Sequence, residues 1–167
     1  MTQPVETHEE CCRVATTTCP CPACGNNGRK VKPVTLDNHI PNPMREEIGE
    51  DATFCLNPDC EVVYCNPQGK TVKRGQTKLP VTIKDLDDDI LVCYCFEHKR
   101  GDLRRDIKEK GKTDIPDQIR KGVQEGRCDC ERKNPQGACC LGNVAGSIKQ
   151  IQEELDNPIF GKDINSA

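Results

Sequence analysis

Apolar residues in this chain change their spacing part-way along it. In the first half they form short runs between turn residues. Val31-Lys32-Pro33-Val34-Thr35-Leu36 and Glu61-Val62-Val63-Tyr64 read as short strands, and Glu46 to Glu50 as one helical turn. In the second half the spacing becomes three and four. Leu103 and Ile107 predict a helix ending at Gly111. Ile115, Ile119 and Val123 predict another, with Pro116 in its first turn and Gly126 past its end. Leu141, Val144, Ile148, Ile151 and Leu155 predict a third, stopped before Pro158.

Between the two patterns lies a polar stretch, Asn66 to Val92, with turn signals at Asn66-Pro67-Gln68-Gly69 and Arg74-Gly75 and room for one strand. A domain boundary is expected near Asp88, inside the solvated run Asp87-Asp88-Asp89. The expected layout is a flexible segment 1–18, a first domain 19–88, a helical domain 89–157 and a frayed tail 158–167.

Composition explains why neither half can rely on an apolar core. Leu, Ile, Val and Phe make up about a fifth of the chain, and there are two Tyr, three Phe and no Trp. Domains this small and this poor in large side chains need disulfides, a metal or a partner. The fourteen cysteines meet that need. Met1 to Glu10 is polar and acidic, with no apolar stretch of a secretory signal, and no segment has the run of a membrane span. Metal ligation in a reducing cytoplasm is therefore expected ahead of a disulfide framework. The net charge of −3, with acidic and basic residues interleaved and few aromatics, disfavours nucleic acid as a partner.

The cysteines form two groups, one from Cys11 to Cys65 and one from Cys93 to Cys140. Cys21-x2-Cys24 and Cys55-x4-Cys60 are two short thiolate pairs in turns, as a tetrahedral structural zinc site requires. Cys19 or Cys65 could replace one ligand. In the second group, Cys93-Tyr94-Cys95 sets two thiolates in one tight turn before a helix. Cys128-Asp129-Cys130 and Cys139-Cys140 follow, the latter at the start of the third helix. A [2Fe–2S] cluster takes two thiolates on each iron. The first turn can serve one, and one cysteine from each later pair the other. A helix N-terminus there would favour the anionic assembly.

Val92-Cys93-Tyr94-Cys95-Phe96 and Asn134-Pro135-x-Gly137-x-Cys139-Cys140 resemble the N-terminal region of archaeal CopZ-type copper chaperones. So do Cys21-Pro22-x-Cys24, Asn38-His39-Ile40 and Phe54-Cys55-x4-Cys60-Glu61-Val62-Val63-Tyr64. The likeness spans roughly residues 19 to 157, and the second half is also similar to bacterioferritin-associated ferredoxins (BFD). The resemblance implies an α+β protein: a small β-rich four-cysteine zinc domain, then a small helical BFD-like [2Fe–2S] domain. It implies zinc on Cys21, Cys24, Cys55 and Cys60, and the cluster on Cys93, Cys95, Cys130 and one of Cys139 and Cys140. Cys140 is favoured because the third helix begins directly after it. The family's copper-carrying M-x-C-x-x-C loop does not occur in this chain.

Six cysteines are left over: Cys11, Cys12, Cys19, Cys65, Cys128 and Cys139. Soft thiolates favour Cu(I), so Cys11-Cys12 or Cys139 could hold it transiently; the plainer reading is free thiols. His8, three residues before Cys11, could join a site there, the plainer reading being a solvated side chain, and His98 has no role. His39 has none beyond the family match. No catalytic acid–base constellation, nucleotide fingerprint or phosphate loop stands out, so a classical enzyme is not expected; metal-ion reduction or electron transfer is the activity that the resemblance implies. The leading reading is one-electron reduction of Cu(II) and thiolate binding of Cu(I) in copper homeostasis, with a copper-transporting ATPase or a redox protein as partner. The alternatives are a ferredoxin-like electron-transfer module, a non-redox zinc-stapled interaction module, and the handling of another soft metal such as mercury.

Overall fold

The computed structural model describes residues 19–157. Residues 1–18 and 158–167, and with them the expectations for His8, Cys11, Cys12 and the tail, lie outside the described residues.

The first half is built on a four-stranded antiparallel sheet in the order β1 (Arg29–Lys30), β2 (Thr53–Phe54), β3 (Val62–Cys65) and β4 (Thr71–Lys73). Two short helices, α1 (Pro33–His39) and α2 (Met44–Ile48), fill the excursion between β1 and β2. Gly28 precedes β1 because a Cβ there would run into the Phe54 carbonyl and the Thr53 methyl. Val31, Leu36, Ile40, Ile48, Phe54, Val63, Tyr64, Val72 and Val81 form the core, with Phe54 and Tyr64 packed edge to face.

Residues 31–36 are not the strand that their β-branched run suggests. Pro33 opens helix α1, where its missing N–H costs nothing, and Leu36 and Ile40 then fall on one face and into the core. The expected strand at Glu61–Tyr64 is β3, shifted by one residue, and the turn expected at Glu46–Glu50 falls two residues earlier, as α2 ends at Ile48 with Gly49 as its C-cap. The polar stretch carries β4 and ends in β5 (Leu91–Cys93).

The second half opens with the hairpin of β5 and β6 (His98–Lys99), followed by α3 (Arg100–Lys110), α4 (Ile115–Gln124), α5 (Cys130–Lys133) and α6 (Leu141–Asp156). Helix α3 closes on Gly111 in the left-handed conformation, as its position predicts. Leu103, Ile107, Ile115, Ile119, Val144 and Ile151 meet in a second core with Val92, Cys93 and Cys140. Val123 stays outside that core, exposed; Gly122 faces inward instead, against the Phe96 ring. Asp88 is not simply solvated: its carboxylate pairs with Arg104 and its carbonyl accepts the Gly101 N–H. Arg100, 2% exposed, bonds Gln150 and Glu154 and fixes α3 against α6.

The two cores are joined by polar contacts that converge on one segment. Asn38 Nδ2 donates to the Arg132 carbonyl at 3.0 Å, as does His39 Nε2 at 3.0 Å. Thr35 Oγ1 donates to the Glu131 carbonyl, and Tyr64 Oη donates to the Pro135 carbonyl at 2.5 Å. Helix α1 and strand β3 of the first half thus hold the chain around α5. Tyr94 returns the contact by donating to the Pro80 carbonyl at 2.5 Å.

Candidate metal centres

Four cysteines of the first half come together in space. The sulfurs of Cys21, Cys24, Cys55 and Cys60 all lie within 4.8 Å of one another. Cys21 and Cys24 sit on a turn closed by the Gly25 N–H to the Cys21 carbonyl at 2.7 Å, with Gly25 at φ 74°. Cys55 follows β2, and Cys60 precedes β3 in a turn whose amide bonds the Asn57 carbonyl at 3.2 Å. The Cys21–Cys60 and Cys24–Cys55 sulfurs stand 3.8 and 3.7 Å apart. A tetrahedron of sulfurs each ~2.3 Å from zinc has edges of about 3.8 Å, so the donor set and its spacing both fit that ion.

The electrostatics divide the four. The Asn26 backbone N–H lowers the Cys24 thiol to about 6. Burial pushes Cys55 up to about 12 and raises Cys60. Lys84, which sequence reasoning passed over, is 3% exposed. Its ammonium donates to the carbonyls of Asn57 at 2.6 Å and Cys60 at 3.1 Å, inside the Cys55–Cys60 turn, and its charge favours the Cys55 thiolate. Only a buried lysine facing a cysteine turn would reveal this role, and the sequence shows no burial.

The second group is arranged differently. Cys93 ends β5 and Cys95 lies in the hairpin turn, so β6 stands between this turn and helix α3. Cys130 is the first residue of α5, and Cys140 caps the N-terminus of α6. The Cys95 and Cys130 sulfurs are 3.6 Å apart, and the Asp129 N–H donates to Cys95 Sγ at 3.2 Å. The neighbouring Cys140 thiol lowers Cys130 to about 6 and Cys93 to about 7, while its own ionisation is suppressed. Burial pushes Cys95 up to about 12. Among the described residues only the first quartet draws together as a single-ion group. Cys139 is exposed and Cys128 half-buried.

The first of these cysteine groups lies in a segment with counterparts in known proteins. Residues 18–78 match a family model described as a zinc binding domain. The copper chaperone CopZ of Archaeoglobus fulgidus is 32% identical over 147 residues, covering 84% of this chain and 70% of that protein. The chain belongs to the CopZ family. The X-ray structure of the Archaeoglobus fulgidus CopZ N-terminal domain superposes with a TM-score of 0.60 at 29% identity, over 73% of this chain and 92% of that one. The mixed α/β fold of this CopZ relative therefore carries a zinc-binding domain with a four-cysteine metal site. Among the described residues no helix is long and apolar enough to cross a membrane.

His39 gains a place that its sequence did not disclose. It is fully buried, with Nε2 on the Arg132 carbonyl, Nδ1 without a partner, and its ring edge-on to Tyr94 at 6.3 Å. Burial pushes it down to about 4 from 6.5. The unfolded chain therefore takes up this proton near 6.5, whereas the folded chain resists it until about 4. The contribution of His39 to stability is therefore complete above pH 6.5 and falls as the pH drops through that window, by up to about 3 kcal/mol. Denaturant melts of wild type and His39→Gln between pH 7 and pH 4 should show the variant's curve flatter by this one-proton slope.

Proposed function

We propose that the chain is a zinc-stabilised [2Fe–2S] protein that reduces Cu(II) and holds the Cu(I) formed. Zinc is assigned to Cys21, Cys24, Cys55 and Cys60, and the cluster to Cys93, Cys95, Cys130 and Cys140. The observation that carries the reading is the second cysteine quartet. The Cys95 and Cys130 sulfurs stand 3.6 Å apart, Cys93 and Cys140 are buried in one core, and among the described residues the four do not gather as a single-ion group, which suits a centre with two irons better than one ion. A [2Fe–2S] cluster held there supplies one transferable electron, the amount that takes Cu(II) to Cu(I).

The surrounding residues do the rest. The Asp129 amide and the N-terminus of α6 at Cys140 offer N–H dipoles to negative charge on sulfur. Val92, Leu103 and Val144 exclude water behind Cys93 and Cys140. The hydrogen bonds from Thr35, Asn38, His39 and Tyr64 brace the segment between Cys130 and Cys139. The proposed division is a zinc domain at 19–88 and a BFD-like cluster domain at 89–157. Copper is the cargo, since the family relative is named a copper chaperone. A copper-transporting ATPase or a redox protein in a reducing cytoplasm is the partner class that goes with it.

The test uses anaerobic full-length protein, reduced with dithionite and then freed of it. One equivalent of Cu(II) should be converted to protein-retained Cu(I), with return of the oxidised visible spectrum. Persistence of the Cu(II) EPR signal beside an intact reduced cluster would overturn the copper step and leave an electron-transfer module.

A further inference from the structure

Cys19 and Cys65 belong to neither quartet, yet the fold pairs them. Cys19 precedes the Cys21 turn and Cys65 ends β3, 46 residues apart in sequence, and their sulfurs lie 3.7 Å apart. That is the separation found across the Cys24–Cys55 edge of the four-cysteine group. It is well beyond the ~2.05 Å of a disulfide. The Cys19 thiol also reaches Thr53 Oγ1 at 3.6 Å and the Cys65 carbonyl at 3.8 Å, so polar atoms surround it on the protein side. Cys65 is fully buried, while Cys19 is half-buried and gives solvent a way in.

We propose that Cys19 and Cys65 form a second, two-thiolate site for a soft monovalent ion, Cu(I), beside the four-cysteine group. Two sulfurs cannot complete the four-ligand shell that structural zinc takes, whereas thiolates select Cu(I), which is satisfied by fewer soft donors. Buried Cys65 supplies the fixed ligand. Half-buried Cys19 supplies the one that an incoming ion, or an accepting thiol on a partner, reaches first. The site itself rests on this geometry, and the choice of ion rests on the copper reading above.

The experiment supplies Cu(I) directly, so that it does not depend on any reduction by the protein. Anaerobic full-length wild type, Cys19→Ser and Cys65→Ala are titrated with Cu(I) against a chromogenic Cu(I) chelator, with zinc measured on the same samples. Each variant should retain one Cu(I) fewer than wild type at unchanged zinc content. In wild type, bound Cu(I) should protect Cys19 from alkylation in peptide mass mapping, a readout that does not depend on how either variant folds. Equal Cu(I) retention in all three proteins with Cys19 alkylated equally with and without copper would overturn the proposal. So would zinc release matching Cu(I) uptake, or a Cys19–Cys65 disulfide in the reduced protein. A missing cluster spectrum would count against the redox reading alone.

Discussion

Stripping zinc from the first half will abolish its cooperative melt and loosen the second half with it. The core there is a thin layer of Val, Leu and Ile around Phe54 and Tyr64, and β1 and β2 are two residues each. Such strands cannot hold register alone. Cys21 and Cys24 lie on one excursion of the chain and Cys55 and Cys60 on another, so a shared ion ties the start of the fold to the ends of β2 and β3. Structural zinc contributes on the order of 10 kcal/mol at neutral pH, comparable to the whole stability of an ordinary domain. Cys55→Ser should therefore lose the thermal transition, as should wild type with a strong chelator. Hydrogen exchange should rise in 53–65 and also around 131–135, since Thr35, Asn38, His39 and Tyr64 hold that segment through their own fold. An unchanged melt after zinc removal would show that the apolar core suffices.

The second large effect concerns ligand choice in the half to which the [2Fe–2S] cluster is proposed. Cys93→Ala and Cys140→Ala should each lose the visible absorption together with iron and sulfide while keeping zinc. Cys139→Ala should keep all of them. Cys93 and Cys140 are almost fully buried in one core cluster, whereas Cys139 is exposed at the helix entrance. Loss of the spectrum in Cys139→Ala with retention in Cys140→Ala would reverse the assignment. Metal analysis and absorption of the three purified variants decide it.

What could be read in the sequence follows from how local each signal is. Helix α6 was visible because five apolar residues repeat over 16 residues and a cysteine pair marks its start. The turns at Cys21–Cys24 and Cys55–Cys60 were visible because short thiolate spacing is itself a local geometry. Residues 31–36 read as a strand because a β-branched run looks the same in a strand and in a short helix. Only the placement of Leu36 and Ile40 in the core tells them apart. A clean spacing of four puts Val123 on the buried face, yet Gly122 is the residue that faces inward, where the Phe96 ring leaves no room for a Cβ. Lys84, His39 and the Cys19–Cys65 pair were hidden for a further reason. Each acts through burial or through a partner more than twenty residues away, and no local pattern records that.

The most direct measurement is iron, acid-labile sulfide and zinc content, with EPR before and after dithionite, on the full chain isolated anaerobically. Two irons, two sulfides and one zinc per chain are expected, with a silent oxidised state and a rhombic signal after one-electron reduction. A colourless protein with zinc at both quartets and no sulfide would contradict it.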